Sequence, residues 1–341
     1  MYNSGKAQIR RISAYAGERS DYVQGGGGNT SVKFDEDIMA IKASGYTLAE
    51  ITEEKGYVTV EYPSIREYYN TVDTGIQKDY EKESLDINLS SVRLLPGMEE
   101  KRPSVEVGFH SFLPRCVIHT HSVYANLLCC AEEGRNIAGE ILADSGIPYV
   151  CIPYIDPGFR LTLAVREAVA AYRERKGAMP DIIFLENHGL IACSDDADAA
   201  IRIHEDVNER IKAYFGLGAY PQPRIIPEGD HYRSDTGYLR DFIQGEQAGK
   251  EYFNALRLYP DQLVYIGPRL DGVIDMDTYT GALTYHTTER EARTIEETLQ
   301  AVAYIIREIE RAGLTLRQMG KEDADFIHNW ESERYRSKLA K

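Results

Sequence analysis

Basic residues are in deficit in this chain: 39 lysines and arginines face 54 aspartates and glutamates, a formal net charge of -15. Phosphate backbones are held by clustered lysine and arginine, so the balance argues against a nucleic-acid partner. An anionic small substrate would need a local basic or amide-rich pocket. Cysteine is sparse. Cys116, Cys129, Cys130, Cys151 and Cys193 are odd in number and show no C-x-x-C spacing, which speaks against both a disulfide framework and a cysteine zinc site. They read as core thiols of a reducing compartment. There is no apolar run of 18 residues, and Met1–Lys6 lacks the apolar stretch of a leader, so neither a membrane partner nor an exported chain is expected. A cytoplasmic location is the expectation. Tryptophan occurs once, at Trp330, and no internal repeat or low-complexity tract is visible.

What the chain does have is ordinary globular composition, 43% hydrophobic and 27% charged over 341 residues, enough for a sizeable core. Its most informative stretch is Arg115-Cys116-Val117-Ile118-His119-Thr120-His121-Ser122, an apolar strand ending in His-x-His. Residues i and i+2 of a strand share a face. Both imidazoles can therefore converge on one ion, and imidazole is the commonest metal-binding side chain. Two other segments bear on this pair: Pro103-Ser104-Val105-Glu106 before it and Glu186-Asn187-His188-Gly189 after it.

In chain order, a polar helix over 5–22 leads into Gln24-Gly25-Gly26-Gly27-Gly28-Asn29-Thr30-Ser31 and a strand through Val32-Lys33-Phe34. Consecutive glycines let backbone amides approach a ligand, and Asn29, Thr30 and Ser31 add donors suited to phosphate oxygens. The run is not a P-loop, and it fails G-x-G-x-x-G at Thr30. A second strand, Ile38–Ala43, closes at Ser44-Gly45, with Lys42 beside it. Residues 46–102 read as a polar, tyrosine-rich insertion or lid with a helix near 84–94. A helix is expected from Pro103, placing Glu106 and His110 at i and i+4 and making His110 a competing metal ligand. Helices follow over Ala125–Glu132, Ile137–Ala143, Leu161–Lys176 and Ala197–Phe215, with strands at Tyr149–Tyr154 and Asp181–Glu186. The remainder, 220–341, begins with prolines 221, 223 and 227 and contains a strand candidate at Gln262–Ile266. A helix capped by Thr288-Glu289-Arg290-Glu291 follows, with Ala292, Ile295, Leu299, Val302, Ile306 and Ile309 on one face. A last polar helix is expected around Trp330–Arg336.

Glu106, His119, His121 and His188 together offer one carboxylate and three imidazoles. That set suits zinc and is also acceptable to iron, manganese or cobalt. The segments Gly28-Asn29-Thr30-Ser31, Ser44-Gly45, Pro103-Ser104-Val105-Glu106, His119-Thr120-His121, Ile152-Pro153-Tyr154 and Asn187-His188-Gly189-Leu190, in this order, make the sequence resemble the class II aldolase/adducin family across about 5–215. Within the family it looks most like the aldolase module of rhamnulose-1-phosphate aldolase/alcohol dehydrogenase proteins, through Gly26–Ser31, Val150–Phe159 and Trp330–Tyr335.

The resemblance implies an α/β fold, a three-layer α/β/α domain with a central mostly antiparallel sheet over 1–219, and a helical C-terminal extension over 220–341 packed on it. It implies a homo-oligomer, often a tetramer with sites between subunits. Zn2+ would be held by His119, His121, His188 and Glu106, with Glu106 also the general base. Gly28, Asn29, Ser44, Gly45 and Ser104 would bind a substrate phosphate, and Tyr154 would be the general acid at a neighbouring subunit's site. The implied reaction is reversible cleavage of a ketose 1-phosphate to dihydroxyacetone phosphate and a short aldehyde such as lactaldehyde. A pentulose-phosphate 4-epimerase, a sugar-phosphate dehydratase and a non-catalytic adducin-like module are the alternatives. Val105 departs from the Pro-Ser-Ser-Glu common in short aldolases and removes one phosphate donor.

Overall fold

The computed structural model describes residues 2–330. Its centre is a seven-stranded sheet built from β1 (Asn29–Lys33), β2 (Ile38–Lys42), β3 (Tyr57–Glu61), β4 (Cys116–Thr120), β5 (Tyr149–Ile152), β6 (Ile182–Leu185) and β7 (Gly189–Ser194). The order is β3-β2-β1-β4-β7-β6-β5. Every neighbouring pair is antiparallel except β5 and β6. The helices of this part are α1 (Asn3–Gly17), α2 (Tyr62–Thr71), α3 (Tyr80–Ser90), α4 (Val107–Phe112), α5 (Val123–Cys129), α6 (Gly134–Leu142), α7 (Phe159–Lys176) and α8 (Ala197–Phe215).

Alternation along β4 sorts these helices into two layers. Cys116 and Ile118 pack with Ile9 and Ile12 of α1 and Ala197 and Ala200 of α8. Val117 points the other way, into a cluster with Phe109 of α4 and Leu161 and Val165 of α7. The period of two therefore carries His119 to the α4 side and Thr120 to the α8 side. The outcome is the expected α/β/α arrangement around a mostly antiparallel sheet. Helix α8 matches its expected bounds because its signals are local: the Asp196 carboxylate accepts from Ala199 N–H at 2.8 Å, and Gly216 ends the helix at φ 62°.

Beyond α8 the chain forms a four-stranded antiparallel sheet of β8 (Ile225–Glu228), β9 (His231–Ser234), β10 (Ile274–Asp277) and β11 (Ala282–Tyr285). Its helices are α9 (Gly237–Glu246), α10 (Lys250–Ala255), α11 (Pro260–Tyr265), α12 (Glu289–Arg311) and α13 (Lys321–Asn329). Thr288 caps α12, accepting from Glu291 N–H at 3.3 Å, and the stripe Ile295, Leu299, Val302, Ile306, Ile309 is fully buried. Each such side chain contributes about 1.5–3 kcal/mol by leaving water. One apolar cluster runs from this stripe through Tyr124 and Leu128 of α5 to Phe184 and Leu190 of the main sheet.

Four expectations change. The extension is not helical alone, because β8–β11 pair into a sheet of their own beside its helices. Gln262–Ile266 is not a strand: Pro260 starts a helix at a first-turn position where its missing N–H costs nothing, so 262–265 complete α11. The helix expected at Pro103 begins at Val107. Ala43 and Pro103 form a β-bridge and Ser104 N–H donates to Lys42 O at 3.0 Å, so this stretch is extended and leaves Glu106 at the helix mouth. Within 46–102, β3 is the edge strand of the central sheet rather than part of a peripheral lid, with Val58 and Val60 buried beside Met39 and Ile41. The helix expected over Trp330–Arg336 falls, beyond Trp330, outside the described residues.

Candidate metal centre and active site

At the end of β4 the polypeptide must bring three imidazoles to one point. His119 is the penultimate strand residue, His121 follows one step beyond the end, and both project to the α4 side. His188 arrives from the tight β6–β7 connection, where Asn187 takes φ 50° and Gly189 pairs with Leu185. The ring centroids lie 5.0, 5.0 and 5.1 Å apart, and one nitrogen from each ring falls within 4.8 Å of the others. All three are buried. Glu106 closes the group from the mouth of α4, with Oε2 3.4 Å from His119 Nε2 and Oε1 3.3 Å from His188 Nε2.

The protonation pattern follows from the partners. His119 Nδ1 lies 3.1 Å from Leu190 O, and a carbonyl can only accept, so Nδ1 carries the hydrogen and Nε2 is left as a lone pair. His121 Nδ1 lies 2.5 Å from the carboxylate of Asp261, with the same consequence. The Nε2 atoms of His119 and His121 stand 3.3 Å apart. Burial pushes His119 down to about 4, keeping it neutral at pH 7 as a ligand must be. Glu106 Oε1 lies buried without a hydrogen-bond partner. Three converging ring nitrogens and an under-used carboxylate oxygen fit a divalent cation. Three imidazole nitrogens with one carboxylate oxygen suit zinc.

His110 is not part of this group. Its Nδ1 takes a hydrogen bond from Ser31 Oγ at 2.7 Å and its Nε2 meets Asn29 Oδ1 at 2.5 Å, while Asn29 Nδ2 donates to Glu106 Oε2 at 2.6 Å. Because Glu106 accepts only, the direction of the whole chain is set: Ser31 to His110 to Asn29 to Glu106. Burial holds the His110 pKa well below its ordinary value, so it remains the neutral link this chain needs.

A narrow cavity opens beside the histidines, lined among others by Gly28, Asn29, Lys42, Ser44, Ser104 and Val105. Glu106, His121, His188, Pro157 and Pro260 line it too. Ser44 Oγ donates to Pro103 O at 3.0 Å and Lys42 Nζ to Gly26 O at 3.0 Å. Four of the five expected phosphate residues therefore border one space. Gly45 does not; its carbonyl accepts from Arg290 Nη2 at 3.0 Å. Asn29 borders it with its amide already committed to His110 and Glu106.

Tyr154, expected at a neighbouring subunit's site, does not line this chain's cavity. It packs against Leu263, Val264 and Met319 of the extension, its hydroxyl is buried, and its side chain bonds Asp156. The extension thus packs against the tyrosine.

The glycine run has a steric reason beyond ligand approach. A Cβ on Gly27 would sit 2.1 Å from Asp261 Oδ2, and one on Gly28, at φ 63°, would sit 2.7 Å from His119 O. The loop is pressed against the histidine strand and needs both positions bare. Asp261 itself gave no sequence signal, since nothing local marks a carboxylate that meets a histidine from a distant helix.

Residues 8–215 match the class II aldolase and adducin N-terminal domain. The chain belongs to this family. Among curated proteins, a Bacillus subtilis protein described as the uncharacterized oxidoreductase YuxG is 29% identical over 222 residues, which is 60% of this chain and 29% of that protein. The chain thus spans less than a third of that relative's length. A 5-deoxy-D-ribulose 1-phosphate aldolase of Bacillus thuringiensis is 25% identical over 196 residues, 55% of this chain and 83% of that enzyme. Among solved structures, the N-terminal class II aldolase domain of a Thermoplasma acidophilum protein superposes with a TM-score of 0.52 at 28% identity, covering 62% of this chain and 94% of that domain. The family match ends at 215, before β8–β11 and α9–α13.

Proposed function

We propose that this class II aldolase family member is a zinc-dependent lyase that reversibly cleaves a ketose 1-phosphate into dihydroxyacetone phosphate and a short aldehyde such as lactaldehyde. The observation that carries the reading is the position of Glu106, which touches two of three convergent histidines and also lines the cavity. The Bacillus thuringiensis relative, named for a ketose 1-phosphate aldolase, supports the substrate class.

A zinc ion held by His119, His121, His188 and Glu106 would supply Lewis acidity to a ketone and its neighbouring hydroxyl, offsetting the charge that develops as the carbon-carbon bond breaks. Glu106 would hold or return the proton at carbon. Its Oε2 is fixed by the Asn29 amide, so the carboxylate can serve the substrate through Oε1 without turning. Lys42 offers a positive charge to a phosphate, and the Ser44 and Ser104 hydroxyls can rotate to donate. Val105 gives the same wall an apolar patch.

Incubating the full chain with zinc and a panel of ketose 1-phosphates, followed by product analysis, tests the proposal. Equal amounts of dihydroxyacetone phosphate and aldehyde are expected. An isomer with no fragments would instead indicate a 4-epimerase, and loss of water a dehydratase.

A further inference from the structure

The C-terminal extension reaches the metal centre through one side chain. Asp261, on the first turn of α11, is fully buried, and its Oδ2 stands 2.5 Å from His121 Nδ1. Nothing in residues 8–215 supplies this contact, and the two residues are 140 positions apart. We infer that Asp261 is a positioning residue of the metal centre, so that the extension completes the site by fixing the orientation and tautomer of His121. The inference rests on the metal reading given above.

Three features of the geometry support it. His119 and His121 must present the same nitrogen inward, and each is fixed by an acceptor on its Nδ1: Leu190 O for one and Asp261 for the other. A carboxylate on the far nitrogen of a ligating imidazole orients the ring and raises its basicity, and loss of such a partner typically weakens metal binding about 10–100-fold. The second feature is charge. Asp261 adds a second buried carboxylate to that of Glu106, and buried carboxylates beside a divalent cation offset its charge. The third is room: Gly27 carries no Cβ where one would lie 2.1 Å from Asp261 Oδ2 and 3.1 Å from His121 Nδ1.

The extension is also anchored against the third histidine, which makes Asp261 a fixed support. Asn187, the residue before His188, donates from Nδ2 to Leu258 O at 2.8 Å and to Arg317 O at 3.0 Å. Arg317 Nη1 lies 2.5 Å from Glu186 Oε2. Gln262 ties the segment preceding α11 together, accepting from Leu258 N–H at 2.8 Å and donating to Leu256 O at 2.8 Å. The loop that carries His188 and the helix that supports His121 are therefore clamped to each other.

The experiment uses the full chain and reads metal binding. Zinc Kd is measured by competition with a chromophoric chelator for the parent, Asp261→Ala, the isosteric Asp261→Asn and His188→Ala, and the cobalt-loaded proteins are compared by visible absorption. Asp261→Ala is expected to weaken zinc about 10–100-fold. Asp261→Asn keeps an acceptor but no charge and should fall between it and the parent, with an altered cobalt band. Glu296→Gln is the control: this carboxylate of the extension bonds Ser234, Thr236 and Tyr285 and touches no histidine. It should lower Tm while leaving zinc Kd unchanged. A folded Asp261→Asn with parent Kd and cobalt spectrum overturns the inference, as does an equal loss in Glu296→Gln. If zinc is lost in His188→Ala but not in the Asp261 variants, the inference fails and the proposed function stands. A parent chain that binds neither metal overturns both.

Discussion

Replacing Glu106 by Gln separates its two proposed tasks. In the native site Oε2 accepts from Asn29 Nδ2 at 2.6 Å, and Asn29 is itself held by His110. The glutamine amide will keep its oxygen on Asn29, because the opposite rotamer sets two NH2 groups against each other. Its own NH2 then replaces Oε1, 3.3 Å from His188 Nε2, where it can neither take a proton from carbon nor ligate a cation. General-base catalysis is worth about 10² to 10⁴ in rate, equal to about 2.7–5.4 kcal/mol of barrier. Turnover should fall by that range. Zinc should fall less than in any His→Ala variant, because three imidazoles remain. The assay is solvent-deuterium exchange at the carbon-bound proton of dihydroxyacetone phosphate followed by NMR, which needs no aldehyde. Exchange should fall in proportion to cleavage. Parent-level exchange in a zinc-loaded Glu106→Gln variant would refute the assignment of the base.

The remaining predictions concern neighbouring groups. His188→Ala should empty the centre by metal analysis, whereas His110→Ala, whose ring nitrogens face Ser31 and Asn29, should retain zinc; the opposite pattern would make His110 the ligand. Tyr154→Phe should change kcat less than about threefold, a barrier change under about 0.7 kcal/mol, since the hydroxyl is buried beside Asp156. A loss of 10² or more would restore Tyr154 as the general acid. His204, buried behind the site against Thr120 Oγ1 at 2.8 Å, is held down to about 3 by burial. Its folded pKa lies below the unfolded value of about 6.5, so the unfolded chain protonates first. This contribution to stability is complete above pH 6.5 and is lost as pH falls toward 3, by up to about 1.4 kcal/mol per pH unit. Urea unfolding between pH 7 and 4 should show a shallower acid loss in His204→Gln than in the parent; equal slopes would refute it.

The parts of this molecule that were legible are those whose determinants lie close together in sequence. The His119-Thr120-His121 face follows from strand periodicity, α8 from Asp196 and Gly216, and α12 from Thr288 and its apolar stripe. What was illegible depends on long-range packing. β3 alternates well enough for a strand, yet its place at the sheet edge is set by pairing with β2. The short apolar run after Pro260 fits strand or helix by pattern alone, and proline at the first turn decides it. Spacing alone makes His110 a rival ligand, since it cannot show that Ser31 and Asn29 occupy both its nitrogens. Asp261 was invisible for the same reason, its role existing only once the extension folds onto the glycine loop.

The central claim is that three histidines and Glu106 hold a divalent cation on which carbon-carbon bond cleavage depends. The most direct measurement strips the full chain with a chelator, adds a ketose 1-phosphate, and follows dihydroxyacetone phosphate through a coupled enzyme as zinc is titrated back. Formation should be absent in the stripped protein, return with about one zinc per chain, the loading expected of a single mononuclear site, and fail to return in His119→Ala. Undiminished release by the stripped chain, or full zinc rescue of His119→Ala, would contradict the account.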